Sequence, residues 1–148
     1  MTTNSVPFCA ALIAGGKSTR MGLDKRLIEF DGRPLWRQQI EILQLLNPTE
    51  LVISGPTDGP WNGNEFKIIP DPVEDAGPLA GITIVLSESQ IPLVLTLAVD
   101  MPRMTTTYLQ SLLNKCTSEC GVVPCLNNHF EPLAAIYPRN CAAWRCGR

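Results

Sequence analysis

Residues 8–26 read FCAALIAGGKSTRMGLDKR, an apolar run that passes through a glycine pair into a basic loop. The run carries no charge, which predicts a short buried strand over residues 8–13. Gly15 and Gly16 then form a turn whose bare backbone can approach a ligand closely. Four of the chain's 12 Lys and Arg residues lie in the loop that follows: Lys17, Arg20, Lys25 and Arg26. Because such cations pair with phosphate oxygens, the stretch predicts a site for a phosphate chain.

The bulk composition is that of an ordinary globular domain. Of the 148 residues, 45% are hydrophobic and 18% are charged, which argues against disorder. A formal net charge of −2 gives no general attraction for nucleic acid, so any anion site must be built locally. No apolar run approaches the roughly 18 residues of a membrane helix, and the N-terminus lacks the basic region of a signal peptide. We therefore predict one cytoplasmic domain over residues 1–148, with neither nucleic acid nor membrane as a partner.

Apolar runs alternate along the chain with segments of helical periodicity. Strands are predicted at 8–13, 50–55, 66–71 and 92–100, with further candidates at 121–124 and 132–137. Helices are predicted at 34–46, 77–89 and 105–116. The run that ends at Asp100 shows no polar alternation, which is typical of a central parallel strand covered on both faces. The pattern predicts an α/β fold of three layers, with a doubly wound, mostly parallel, Rossmann-like sheet.

Ligands of such sheets bind beyond the carboxyl ends of the strands. The sequence places the Gly15–Gly16 turn after the first strand, Asp71 after the third and Asp100 after the fourth. We therefore expect one crevice to gather the glycine turn, the basic loop and two carboxylates. An aspartate at position 100 could instead cap the helix that follows it.

Two other phosphate motifs fit the glycine turn less well. In a Walker A loop, Ala11 would occupy the first glycine position and Lys17 the lysine position. Residues 12–14 between them belong to the apolar strand, whereas a Walker A motif needs loop residues whose N–H groups wrap the phosphates. The dinucleotide-binding pattern GxGxxG is absent from the sequence. We therefore interpret the turn as a glycine pair followed by a basic loop that folds over the ligand.

Several segments of the sequence resemble one known family. The run LIAGGKSTRMGLDKRLIEFDGRPL, residues 12–35, resembles the signature of the MobA-like nucleotidyltransferases, and most closely that of the molybdenum cofactor guanylyltransferases. Three later segments resemble the same family in order: IPDPVEDAGPLAGI (69–82), LTLAVDMP (95–102) and HFEPLAAIYP (129–138). The resemblance covers nearly the whole chain and implies the nucleotide-diphospho-sugar transferase fold.

This resemblance implies a Mg²⁺-dependent reaction in which molybdopterin attacks the α-phosphorus of GTP and pyrophosphate leaves. GMP is thereby transferred to the molybdenum–molybdopterin cofactor, which forms molybdopterin guanine dinucleotide. The implied partners are GTP, the molybdenum cofactor and molybdoenzyme-maturation proteins.

The resemblance also implies roles for individual residues. Asp100 would hold Mg²⁺ and would form the catalytic set together with Lys25 and Arg20. Lys25 would contact the triphosphate, and Asp71 would contact the base, the ribose or the metal. Nucleotide contacts, mostly through the backbone, are implied at the glycine turn: Ile13, Ala14, Gly15 and Gly16.

Two related functions stay open. The Asp24–Lys25 pair stands where sugar and isoprenoid cytidylyltransferases have Pro-Lys, and residues 77–81 read GPLAG rather than the Gly-Leu-Ala-Ser-Ser type segment of molybdenum cofactor cytidylyltransferases. Both differences favour guanylyl transfer over a cytidylyltransferase. Family members continue for some tens of residues beyond position 148, so the predicted domain lacks the family's C-terminal segment. A nucleotide- or cofactor-binding protein without transfer activity is therefore the other alternative.

A few other residues also have the chemistry of a site. Cys116, Cys120 and His129 have the residue types of a zinc site, but no CxxC pair accompanies them in the sequence. Free, buried thiols are therefore predicted for the cysteines. The spacing of His129 and Glu131 assigns neither a role. Trp61 is predicted to pack, with covering a ligand as the alternative.

Overall fold

The computed structural model describes residues 6–15, 27–61, 64–70 and 77–140. Its strands and helices, in chain order, are β1 (Phe8–Ile13), β2 (Glu29–Phe30), β3 (Arg33–Pro34), α1 (Leu35–Leu45), β4 (Glu50–Ser54), β5 (Lys67–Ile69), α2 (Pro78–Glu88), β6 (Leu93–Ala98), α3 (Thr106–Leu113), β7 (Cys125–Leu126), β8 (His129–Phe130) and β9 (Ile136–Pro138). Within these ranges, five strands form one sheet in the order β5-β4-β1-β6-β9. The first four of these run parallel, and β9 runs antiparallel to β6.

Strand β1 lies at the centre of the sheet and is buried along its whole length. Ala11 pairs with Val52 of β4 on one side and with Thr96 of β6 on the other. Successive side chains of a strand point to opposite faces, and here one set packs with residues of α1 and α3 while the other set packs with residues of α2. The predicted three-layer, mostly parallel α/β architecture is therefore confirmed.

The helices begin where the sequence supplies a suitable residue. Pro34 precedes α1 and Pro78 occupies the first turn of α2, positions at which proline's missing N–H costs no helical hydrogen bond. The side chain of Thr105 caps α3, because its Oγ1 accepts a hydrogen bond of 3.1 Å from the backbone N–H of Tyr108. The three predicted helices are confirmed, each with slightly narrower bounds.

The strand predicted at 121–124 is wrong. Val122 makes one isolated antiparallel bridge to Ile136, and Pro124 has no N–H with which to extend a ladder. The strand predicted at 132–137 is displaced, since β9 spans Ile136–Pro138. Before β9 the chain still follows β6, through bonds from Thr96 and Ala98 to carbonyls at Ala135 and Leu133, but without regular strand pairing.

Two hairpins were not predicted from the sequence. The β2–β3 turn contains Asp31 and Gly32, and the β7–β8 turn contains Asn127 and Asn128, all with positive φ. Positive φ at both central residues is the geometry of a tight hairpin turn. Each strand of these hairpins is two residues long, which is too short to show an apolar alternation in the sequence.

The cysteines differ in burial, so the prediction of buried thiols is wrong for some of them. Cys9 is buried in β1 and Cys116 is partly buried, whereas Cys120 and Cys125 are exposed because they lie in a turn and a hairpin outside the sheet. Burial raises the pKa of the Cys9 thiol to about 12. Cys141 and Cys146 lie outside the described residues. In the part of the chain that the structure covers, no helix is long and apolar enough to span a membrane.

Candidate active site

The parallel sheet has a topological switch point between β1 and β6. From β1 the chain proceeds through α1 to β4 and β5 on one side, and it later returns to place β6 and β9 on the other side. Ligands of open α/β sheets bind in the crevice that such a reversal leaves at the carboxyl ends of the strands. The residues that follow β1 and β6 therefore define the candidate site.

Backbone hydrogen bonds continue past the strand ends and hold this edge in place. Ala14 N–H donates to Ser54 O at 2.8 Å, and Val99 N–H donates to Ile13 O at 3.1 Å. The next bond outward joins Gly55 N–H to the carbonyl of Ile69 at 3.1 Å. The end of β1 is therefore a fixed backbone platform.

The glycine turn begins on this platform. Ile13 and Ala14 are buried, and Gly15 is half-buried. The side chains of Ala14 and Ile13 pack into the hydrophobic cores on the two faces of the sheet, so the groups that this edge presents are mainly backbone groups. Several predicted site residues lie outside the described residues: Gly16, Lys17, Arg20, Lys25 and Asp71.

Asp100 follows β6 at the same edge of the sheet at which Gly15 follows β1. Ile13 and Ala98 are paired across β1 and β6, and Gly15 and Asp100 each lie two residues beyond that pair. Asp100 is exposed, whereas its neighbour Val99 is buried. Gly15 and Asp100 therefore both follow the carboxyl ends of neighbouring parallel strands, and their shared role in a crevice stays a prediction. The alternative role for Asp100 as a helix cap is excluded for α3, whose cap is Thr105.

A buried glutamine supports the turn that carries Asp100, and sequence reasoning missed it. Gln39 of α1 is 1% exposed, and its Nε2 donates to the carbonyl of Ala98 at 3.3 Å and to that of Met101 at 2.7 Å. Buried amides must be hydrogen-bonded, because an unsatisfied one costs about 1–3 kcal/mol. In the sequence, Gln39 was recognisable as a polar residue on the face of α1 that carries Trp36 and Ile40.

The loop after β4 closes the platform on the other side. A Cβ at Gly55 would lie 3.3 Å from the backbone carbon of Ala14 and 3.3 Å from the Trp61 ring. Trp61 is 4% exposed, donates from Nε1 to Pro56 O at 3.1 Å and meets Trp36 edge-on at 6.0 Å between ring centroids. The packing role predicted for Trp61 is confirmed, since its indole is enclosed by the loop.

A depression of about 520 Å³ adjoins Asp100. Its walls are mostly carbon, and Arg103 contributes a cation to its lining. The other lining residues are Met101, Pro102, Met104, Thr105 and Tyr108. A larger depression of about 740 Å³ lies at the opposite edge of the sheet, where Phe8 and Leu93 begin their strands. Because ligands of parallel sheets bind at the carboxyl edge, the depression beside Asp100 is the one relevant to the site.

The segment before β9 is tied down next to β6 by side-chain hydrogen bonds. Glu131 accepts a bond of 3.1 Å from the N–H of Leu133, and Tyr137 OH donates to Pro132 O at 2.7 Å. Ala98 N–H donates to Leu133 O at 2.9 Å, so this segment borders the carboxyl end of β6. Glu131 is thus engaged in shaping this border, while His129 is exposed on the β7–β8 hairpin.

At this edge the described residues supply one exposed carboxylate, Asp100, as a ligand for a divalent cation. Among the described residues, no group of three His, Cys, Asp or Glu side chains could hold a metal. Magnesium in nucleotide sites needs one or two carboxylates, with phosphate oxygens and water completing its octahedron. The exposed carboxylate of Asp100 suits that arrangement.

Comparison with known proteins identifies the family. The model of the MobA-like NTP transferase domain matches residues 10–145. The chain belongs to this family. It is also 32% identical over 146 residues to a "probable molybdenum cofactor guanylyltransferase" of Opitutus terrae, a match that covers 97% of this chain and 72% of that protein. A nucleotidyltransferase family is thus established, as the resemblance implied.

Solved structures confirm the fold. Molybdopterin-guanine dinucleotide biosynthesis protein A of Archaeoglobus fulgidus has a TM-score of 0.64 and 24% identity, covering 92% of this chain and 69% of that chain. Rv0371c of Mycobacterium tuberculosis, in complex with manganese, has a TM-score of 0.69 and 12% identity, covering 93% of this chain and 74% of that one. At these identities the likeness establishes the shared α/β nucleotidyltransferase fold.

Proposed function

We propose that this protein is a Mg²⁺-dependent molybdenum cofactor guanylyltransferase. It transfers GMP from GTP to the phosphate of molybdenum–molybdopterin, and pyrophosphate leaves. The observation that carries the proposal is the position of Asp100 at the end of β6, the strand paired with the one that leads into Gly15, in a member of the MobA-like family. The likeness of nearly the whole chain to the Opitutus terrae guanylyltransferase supports the choice of nucleotide and acceptor.

The reaction requires positioning and charge neutralisation more than a protein nucleophile. A phosphate oxygen of the acceptor attacks the α-phosphorus and forms a new P–O bond. The bond from that phosphorus to the bridging oxygen breaks, and pyrophosphate keeps the electron pair. When bound, Mg²⁺ neutralises charge on the phosphate oxygens.

The residues of the chain then have separate roles. Backbone groups of Ile13, Ala14, Gly15 and Gly16 face the nucleotide. Lys25 compensates charge on the departing pyrophosphate, and Arg20 is a second phosphate ligand, since guanidinium binds phosphate in a bidentate manner. Asp100 is the magnesium ligand, and the manganese complex of the structural relative Rv0371c is consistent with a divalent ion in this fold. Asp71 contacts the base, ribose or metal.

The depression beside Asp100 suits the acceptor. Its volume of about 520 Å³ lies within the range of small-molecule sites. The Tyr108 ring offers an aromatic face to a planar heterocycle, and Arg103 offers a cation to a phosphate. Both residues follow Asp100 in the same loop and helix, so an acceptor bound there lies next to the metal ligand.

The test combines nucleotide binding with transfer. Calorimetry with Mg²⁺ and GTP, CTP or ATP measures preference, and GTP labelled at the α-phosphate with molybdenum–molybdopterin measures product formation. Asp100→Asn removes the carboxylate charge and should lower transfer by about 100-fold or more. Glu88→Gln is the matched control, because Glu88 is exposed at the end of α2 that lies away from the crevice.

Each outcome decides between the candidate functions. Preference for GTP with formation of the dinucleotide supports the proposal. Preference for CTP identifies a cytidylyltransferase, and binding without transfer identifies a nucleotide-binding protein. If none of the three nucleotides binds, the proposed function is wrong.

A further inference from the structure

We propose that Gln39 is a positioning residue that holds Asp100 in place for the metal-bound nucleotide. The inference rests on the proposed function, because it takes Asp100 as the magnesium ligand. Gln39 lies on α1, in a different crossover of the sheet from the loop that carries Asp100. It acts through the backbone of that loop.

The geometry is a clamp across the turn. The Gln39 amide donates to the carbonyl of Ala98 at 3.3 Å and to that of Met101 at 2.7 Å. These two carbonyls flank residues 99–100, so one side chain spans the segment that carries the carboxylate. An amide nitrogen has two N–H donors, and both are used here. A buried apolar side chain could fill the same space but could not hold these carbonyls.

The same turn is anchored from two other directions. Val99 N–H donates to Ile13 O at 3.1 Å, which ties the turn to the strand that leads into the glycine pair. Ala98 N–H donates to Leu133 O at 2.9 Å, which ties it to the segment before β9. Gln39 supplies the third anchor, and it is the one that reaches Met101, beyond Asp100. Without it, the far side of the Asp100 turn loses its tie to α1.

The neighbouring glutamine connects α1 to the other half of the site. Gln38 Nε2 donates to the carbonyls of Phe30 and Arg33, and Leu35 N–H donates to Ile28 O at 2.9 Å. Residues 28–34 are therefore fastened to the start of α1. They begin three residues after Lys25, the proposed phosphate ligand. Helix α1 thus holds residues 28–34 through Gln38 and its own first residue, and the Asp100 turn through Gln39.

The chemistry of the site explains why such a clamp matters. Magnesium requires near-ideal octahedral geometry at about 2.0–2.1 Å, so a small displacement of its carboxylate weakens binding. Residues that orient metal ligands change metal affinity by about 10–100-fold when they are removed. Gln39 would orient a metal ligand in the same way, although it acts through main-chain carbonyls and not through the side chain of the ligand.

The experiment measures metal affinity directly. Mn²⁺ serves as a paramagnetic probe, and its binding to the full chain in the presence of GTP is followed by electron paramagnetic resonance. Gln39→Met keeps an unbranched side chain and removes both hydrogen bonds, and it should weaken Mn²⁺ binding about 10-fold. GTP binding without metal should stay within about twofold of the parent, since the backbone platform at β1 is not changed.

Two further variants keep the test decisive. Gln44→Met makes the same change at an exposed position of α1 and should leave Mn²⁺ affinity unchanged. Gln39→Asn retains the amide but is one methylene shorter, so it is the variant to measure if Gln39→Met does not fold. It should also weaken Mn²⁺ binding, by a smaller factor. In an Asp100→Asn background, Gln39→Met should have no further effect, because the ligand that it positions is gone.

The outcomes separate this inference from the proposed function. If the parent chain binds no GTP, the proposed function is wrong and the inference falls with it. If Asp100→Asn binds Mn²⁺ as the parent does, Asp100 is not the ligand and Gln39 has nothing to position. If Asp100→Asn behaves as expected while folded Gln39 variants bind Mn²⁺ like Gln44→Met, the proposed function stands and the positioning role is overturned.

Discussion

Gln39 and Met101 are 62 residues apart in the sequence, yet the buried amide of Gln39 donates a hydrogen bond of 2.7 Å to the backbone carbonyl of Met101. The bond joins helix α1, which follows β1, to the loop after β6. These two crossovers lie on the same face of the sheet, where residues of α1 and α3 share one hydrophobic core. The loop that carries Asp100 is therefore supported by helix α1, through an uncharged side chain that lies outside the segments resembling the family.

The basic loop can be tested by comparing two of its lysines. We predict that Lys25→Ala lowers kcat/KM for GTP about 100-fold, because the role proposed for Lys25 is to compensate charge on the leaving pyrophosphate, whereas Lys17→Ala has a clearly smaller effect. Steady-state kinetics with varied GTP measures both. Lys115→Ala is the control, since Lys115 is exposed at the end of α3. A larger effect at Lys17 than at Lys25 would instead indicate a Walker A site.

Burial of the Cys9 thiol predicts a loss of stability at high pH. Burial raises its pKa from 9.0 to about 12, so above pH 9 the unfolded chain releases a proton that the folded chain keeps. The unfolded state then binds fewer protons, and the free energy of unfolding falls by about 1.4 kcal/mol per pH unit from this group. Below about pH 8 the thiol is neutral in both states and contributes almost no slope.

Urea unfolding of the parent and of Cys9→Ala checks this prediction. The alanine variant has a constant cost for the lost side chain but no thiol to titrate at this position. Cys116, whose pKa burial raises to about 11, contributes equally to both proteins and cancels. The difference in unfolding free energy between the two proteins should therefore shrink by about 1.4 kcal/mol from pH 9.5 to pH 10.5. Parallel stability curves over this interval would contradict the assignment.

The central sheet was predictable because its signal is local. The runs that form β1 and β6 are short and apolar without alternation, which is typical of a strand covered on both faces. Helix α1 was predictable from the spacing of its apolar residues, and the predicted face is buried: Leu35, Ile40, Leu43 and Leu46. The place of Gly15 and Asp100 at the carboxyl edge of the sheet follows from their positions just after these two strands, β1 and β6.

What the sequence did not predict depends on contacts between distant residues. Val122 forms a single bridge because its partner Ile136 lies 14 positions away on the sheet edge, and no pattern within residues 121–124 records this. Gln39 was visible in the sequence as a polar residue within an apolar stripe. Its hydrogen-bond acceptors, the carbonyls of Ala98 and Met101, are known only from the folded structure. The nucleotide roles of Lys25 and Asp71 stay predictions.

The sheet edge near Val122 gives a stability prediction. A Cβ at Gly121 would lie 2.0 Å from Ile136 O and 2.9 Å from Pro138 Cδ, in a place where the bridge between Val122 and Ile136 leaves the backbone no room to move. We expect Gly121→Ala to lower the free energy of unfolding by about 3 kcal/mol. Gly32→Ala is the control, because it adds a Cβ in open space at positive φ and should cost about 1 kcal/mol. Equal costs in urea unfolding would refute the close approach at Gly121.

The residue that caps α3, Thr105, also lines the depression beside Asp100, so its substitution is expected to change the free energy of unfolding as well as the depression. Thr105 Oγ1 accepts a bond of 3.1 Å from Tyr108 N–H, and both residues line that depression. Thr105→Ala removes the acceptor and should lower the free energy of unfolding by about 1 kcal/mol, whereas Thr105→Ser retains it. Thr107→Ala, at an exposed position within the same helix, makes the same substitution without loss of a cap and should be nearly neutral.

A kinetic measurement on the same variants tests whether the depression binds the acceptor. Because Thr105→Ala loosens the turn that orients Tyr108, we expect the KM for molybdenum–molybdopterin to rise while the KM for GTP stays unchanged. The platform proposed for the nucleotide lies at the end of β1, and the cap makes no contact with it in the hydrogen bonds of the described residues. An equal rise in both KM values would indicate a general loss of structure. If only the KM for GTP rises, and it rises in Thr105→Ala but not in Thr107→Ala, the nucleotide and not the acceptor lies against Tyr108.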